Sequence, residues 1–122
     1  MTRRSLARMG AAVCLQLAAA GTFAHAFLEH AMPAVGSTVT SAPARVTLHF
    51  TQRLEPAFSR VQVIDANGKR VDRDDASVGD DDRATLGVSV DALPPGRYTV
   101  KWRVLSADTH VTEGDYTFTV VR

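Results

Sequence analysis

From Val46 onward, apolar and polar residues alternate with a period of two. Val46, Leu48 and Phe50 are separated by Thr47 and His49, and Leu86, Val88 and Val90 by Gly87 and Ser89. Tyr98, Val100, Trp102 and Val104 alternate with Thr99, Lys101 and Arg103; Tyr116, Phe118 and Val120 alternate with Thr117 and Thr119. Successive side chains of a strand point to opposite faces, so each run predicts a strand with one buried face. Ser59 to Asp65 predicts another, ended by the turn signal Asp65-Ala66-Asn67-Gly68. Pro33, Gly36, Pro43 and Pro94-Pro95-Gly96 punctuate the rest. No amphipathic helix of useful length follows Ala24, and short strands with turns between them predict an all-β sandwich or barrel. Trp102, Tyr98, Tyr116 and the phenylalanines are expected to fill much of its core, at roughly 25 cal/mol per Å² of apolar surface buried. The acidic stretch from Asp72 to Asp82 is expected to be a mobile loop.

The first residues follow a different pattern. Arg3, Arg4 and Arg8 precede a short apolar run, Gly10 to Ala20, broken only by Gln16, and small residues follow it. This is the pattern of a secretory signal, and the run is well short of the roughly 20 residues that span a bilayer. Arg3-Arg4 is a weak hint of twin-arginine export. Cys14 does not suit a lipoprotein, because Val13 is too large and cleavage there would halve the apolar run. Two cleavage sites compete. A cut after Ala24 leaves His25 first; a cut after Ala26 uses Ala24-His25-Ala26, the better small-x-small match.

Processing changes the composition that matters. A cut after Ala24 leaves 98 of the 122 residues, a single domain at 25–122 that is large enough for one core. Without Arg3, Arg4 and Arg8, 11 basic side chains face 13 acidic ones, a formal net charge of −2. That balance gives no basic surface for nucleic acid or an anionic membrane. Cys14 departs with the signal, which excludes disulfides and thiolate metal sites.

The candidate chemistry lies in Ser106-Ala107-Asp108-Thr109-His110, between two strong strands. Asp108 and His110 are two apart, so in extended backbone their side chains point the same way. They make half of a metal site, or else an Asp and a His that bond each other and cap a turn. An N-terminal His25 supplies the rest, because its α-amine and ring Nδ1 close a chelate on one ion. The reference pKa of an α-amine is about 8, so a metal displaces its proton near neutral pH. Three nitrogens from His25 and His110 with an oxygen from Asp108 form a tetragonal set that favours a single Cu(II) ion. Zinc is less suited to a flattened arrangement.

Along essentially its whole length after the signal, the sequence resembles the CopC family of periplasmic copper-binding proteins. The resemblance rests on His25, Met32-Pro33-Ala34, Leu48-His49-Phe50-Thr51 and Leu93-Pro94-Pro95-Gly96-Arg97-Tyr98. It continues through Trp102-Arg103-Val104-Leu105-Ser106, Asp108-Thr109-His110 and Gly114-Asp115-Tyr116-Thr117-Phe118. It implies a Greek-key β fold of cupredoxin or immunoglobulin-like type. It also implies Cu(II) ligands at His25, Asp108 and His110, and favours cleavage after Ala24. The sequence departs from the family in two places. The methionine-rich loop of some members is here an aspartate-rich stretch without methionine, which argues against a Cu(I) site. Gln52 stands where a glutamate is frequent, so a hydrogen-bonding role beside the site is expected for it.

The remaining candidates are weaker. His49 reads as a surface strand residue, His30 as exposed or a spare ligand, and Met32 as a packing thioether. The aspartates lack the spacing of a calcium loop. The expected function is a periplasmic copper carrier or buffer, monomeric, that passes copper to an inner-membrane copper transport protein. The enzyme alternative is a small copper oxygenase with an N-terminal histidine. Against it, Asp108 would fill the position oxygen needs, and the domain is too small for a flat aromatic substrate surface. The third alternative is an immunoglobulin-like interaction domain with incidental histidines.

Overall fold

The structure, a computed structural model, describes residues 26–122; the expected signal segment, Cys14 and His25 lie outside the described residues. Eight strands follow in order: β1 (Leu28–Met32), β2 (Thr38–Val39), β3 (Arg45–Phe50), β4 (Arg60–Ile64), β5 (Ser77–Val78), β6 (Thr85–Ser89), β7 (Gly96–Leu105) and β8 (Val111–Val120). One short 3-10 turn spans Pro56–Phe58. The strands build two four-stranded sheets, ordered β1-β3-β6-β5 and β2-β8-β7-β4. All neighbours are antiparallel except β2, which runs parallel to β8. Only β5–β6 and β7–β8 join consecutive strands within one sheet; every other connection crosses to the opposite sheet. This interleaving makes an immunoglobulin-like Greek-key sandwich, the fold class expected from the sequence.

The core is made by the alternating positions. Val46, Leu48 and Phe50 of β3, Leu86 and Val88 of β6, Tyr98, Val100 and Val104 of β7, and Tyr116, Phe118 and Val120 of β8 are all buried. Tyr98 adds a corner lock: its hydroxyl donates to the Pro94 carbonyl at 2.5 Å, across the bend where β7 starts. Tyr116 reaches the Pro33 carbonyl at 2.8 Å and ties β8 to the loop after β1.

Three expectations change. Phe50 and Phe118 are buried, but Phe27 and Phe58 are 59% and 68% exposed. Phe58 sits in the 3-10 turn, which buries nothing, and Phe27 follows Ala26, which takes the inward position instead. Met32 does not pack either: it is 64% exposed, because its neighbour Ala31 is the residue facing the core. The acidic stretch contains β5 and is held by its own carboxylates. Asp72 accepts from Val63 N at 2.7 Å and from Arg70 Nε at 2.9 Å, and Asp75 accepts from Ser89 N at 2.8 Å.

Candidate metal centre

Asp108 and His110 lie in the tight connection between the two longest strands, β7 and β8, which pair along ten residues from Gly96↔Val120 to Leu105↔Val111. This long hairpin fixes the end of the sandwich from which both side chains project. Ser106 N donates to His110 O at 2.9 Å and Thr109 N to Ser106 O at 2.8 Å, closing the turn. Thr109 adopts φ +69°, a left-handed conformation uncommon for a residue with a branched Cβ. The backbone here is therefore curled, not extended. Asp108 and His110 still converge: His110 Nδ1 lies 3.2 Å from Asp108 Oδ1, with both side chains partly exposed. Their meeting follows from the turn and not from strand alternation.

Ser106 organises the pair from below. It is fully buried, and its hydroxyl donates to the Asp108 carboxylate while accepting from His110 N at 3.3 Å. Donation from Ser106, joined by the His110 ring, holds the Asp108 carboxyl below its usual range. An ionised carboxylate next to an imidazole is a ready pair of oxygen and nitrogen donors. Sequence reasoning assigned no role to Ser106, although a serine at an inward strand position was a signal that its hydroxyl has a partner.

A second element borders the turn. Ala107 N donates to Arg53 O, Glu55 N to Leu105 O, both at 2.9 Å, and Leu54 bridges Ser106. On its other side the same segment meets Phe27, with Thr51 N donating to Phe27 O at 2.9 Å and Phe27 N to Thr51 Oγ1 at 3.0 Å. Gln52 is thus placed between a residue bonded to Phe27 and one bonded to the Asp108 turn. Ala26 is 1% exposed, and its carbonyl accepts from Thr112 Oγ1 at 2.8 Å, two residues beyond His110. Thr112 is another contributor that the sequence did not single out.

Among the described residues, no three His, Cys, Asp or Glu side chains converge on one point. The structure thus brings together two of the three expected ligands, Asp108 and His110. The third, His25, is covalently joined to Ala26 and lies outside the described residues. In the acidic stretch Asp72, Asp75 and Asp82 point carboxylate oxygens at backbone amides, and Asp72 and Asp74 pair with Arg70. His30 and His49, treated as separate surface residues by the sequence, face each other across β1 and β3 with ring centroids 4.1 Å apart.

Comparison with known proteins agrees with this architecture. Residues 28–121 match the CopC domain. The Escherichia coli K12 protein YobA is 38% identical over 120 residues, covering 98% of this chain and 97% of YobA. The crystal structure of CopC from Methylosinus trichosporium OB3b superposes with a TM-score of 0.74 at 40% identity, covering 79% of this chain and 93% of that one. PcoC, a methionine-rich copper resistance protein from Escherichia coli, superposes with a TM-score of 0.72 at 31% identity, covering 80% of this chain and all of PcoC (100%). With a domain match across most of its length and relatives alike over nearly all of it, the chain belongs to the CopC family.

Proposed function

We propose that the protein is an exported copper carrier or buffer that holds one Cu(II) ion through His25, Asp108 and His110. The observation that carries this reading is the convergence of Asp108 and His110 at 3.2 Å, beside a chain start anchored two residues further along β8. Cleavage after Ala24 turns His25 into an amine-imidazole chelate directly adjoining that anchor. His25 then supplies two nitrogens, His110 a third and Asp108 an oxygen, a donor set that Cu(II) prefers over other divalent ions. Gln52 stands beside the set as a neutral hydrogen-bonding group. The copper is cargo: it is captured outside the cytoplasmic membrane and released to an inner-membrane copper transport protein by a competing ligand or by reduction. Membership of a family of copper-binding and copper-resistance proteins supports the carrier reading over an oxygenase. Unlike the methionine-rich PcoC, this chain has only three methionines, two of them in the signal segment, so no methionine-built Cu(I) site is proposed.

A Cu(II) competition titration tests the proposal. The form that begins at His25 is compared with one carrying an extra alanine before His25, with Trp102 fluorescence as readout. One tight equivalent in the first form, weakened by orders of magnitude in the second, is the expected result. Equal affinity in both removes the N-terminal chelate.

A further inference from the structure

We propose that His30 and His49 together hold a second Cu(II) ion on the outer face of the β1-β3-β6-β5 sheet, apart from the Asp108–His110 centre. Three observations lead there. First, register: His30 pairs directly with His49, and the flanking pair Ala31↔Leu48 is buried, so the two imidazoles stand on the solvent side. Second, geometry: the ring centroids are 4.1 Å apart and the planes lie within 15° of parallel. Two imidazole nitrogens bound cis to a metal at about 2.0 Å are about 2.8 Å apart. In the stack the nitrogen lone pairs run side by side, so the side chains must rotate until the two ring planes open toward a common point before they grip an ion. Third, both rings keep their nitrogens available: neither makes a hydrogen bond or an ion pair among the described residues.

The strands hold the rings close before metal arrives, so the second nitrogen binds at high local concentration. Strand β3 is itself clamped between β1 and β6, with His49 opposite Thr85. Among the described residues no three His, Cys, Asp or Glu side chains converge on one point, so the pair and the Asp108–His110 centre do not meet at one ion. Two neutral imidazoles without a carboxylate make a weaker site than an amine chelate, with open positions for ligands from an incoming donor or acceptor. Cu(II) leads the divalent series for such nitrogen donors.

Cu(II) alone, titrated against a graded set of chelators into the exported protein, tests this, with His30→Phe, His49→Phe and His110→Ala as variants. Phenylalanine keeps an aromatic cross-strand pair on this face and removes only the nitrogens, and thermal melts confirm that each variant folds. The wild type is expected to take up a second, weaker equivalent that broadens the ring C–H resonances of His30 and His49. Each phenylalanine variant should weaken it by about ten-fold or more, because a single imidazole loses the chelate. Retention of the weaker equivalent in His110→Ala supports the pair whatever becomes of the tight one. A single equivalent in the wild type, or an unchanged second equivalent in both phenylalanine variants, overturns the proposal.

Discussion

The Thr112 hydroxyl donates to the Ala26 carbonyl at 2.8 Å, a contact that spans 86 positions of sequence and joins the segment before β1 to β8 just beyond His110. Because Ala26 is buried, this bond fixes where the chain enters the sandwich. Thr112→Val keeps the shape and removes the donor. It should cost about 1 kcal/mol of stability in a denaturant melt. If the anchor positions the proposed chelate, Cu(II) affinity in a competition titration should also fall, by about ten-fold, with all three ligands still present. Loss of stability with unchanged affinity would assign Thr112 a purely structural role.

Ser106 holds the pair from inside the turn. Ser106→Ala removes the donor to Asp108 and the acceptor of His110 N. A loss of about 1–2 kcal/mol is expected for this buried hydroxyl. Asp108 should then titrate at higher pH in the metal-free protein, since the largest influence holding its carboxyl low is gone. Carboxyl carbon NMR of the variant beside the parent reads that shift directly.

The legible part of the fold was the alternation. Every long strand read from it is present, because β3, β7 and β8 each have one face toward water and one in the core, while β6 turns Leu86 and Val88 inward and has Gly87 covered by Arg45. Strands β2 and β5 are two residues each, too short for any period to show. Strand β1 was hidden by a register irregularity between Leu28 and His30, which breaks its alternation. At the candidate metal centre the residue types were legible but the reason for their meeting was not: Thr109 at φ +69° replaces the extended geometry that spacing alone implied. The His30–His49 pair depends on register between strands about twenty residues apart, which no local pattern carries.

Asp72 should govern acid stability. Its side chain is fully buried, which by itself would raise its pKa. Hydrogen bonds from Arg70 and from the amides of Val63 and Asp74 outweigh that burial, and the net shift is downward. A carboxyl with a depressed folded pKa stabilises the fold fully above its unfolded value of about 3.9 and loses that contribution as pH falls through the folded value. The parent should therefore lose stability below about pH 4, and Asp72→Asn should flatten that fall. At neutral pH the variant should be weaker by about 2 kcal/mol, having exchanged a charged acceptor for an amide. Thermal melts from pH 7 to pH 2 on both proteins measure each effect.

Gly114 lies opposite Trp102 in the β7–β8 register, and the indole covers it. A Cβ there would overlap Trp102 Cζ2 and come within 2.9 Å of Cη2. The ring has little room to retreat inward, since Phe50 and Tyr116 stand 6.0 and 6.4 Å from it, centroid to centroid. It borders two clefts instead, one of about 720 Å³ beside Gly114, Lys101 and Arg103 and one of about 250 Å³ shared with Ala26, Phe27 and Thr112. Gly114→Ala should therefore destabilise the protein by about 1–3 kcal/mol, the usual cost of overpacking. It should also red-shift Trp102 emission, and if the ring moves into the cleft shared with Ala26, Cu(II) affinity should fall as well. Destabilisation without any change in copper affinity would separate the Trp102 packing from the proposed metal centre.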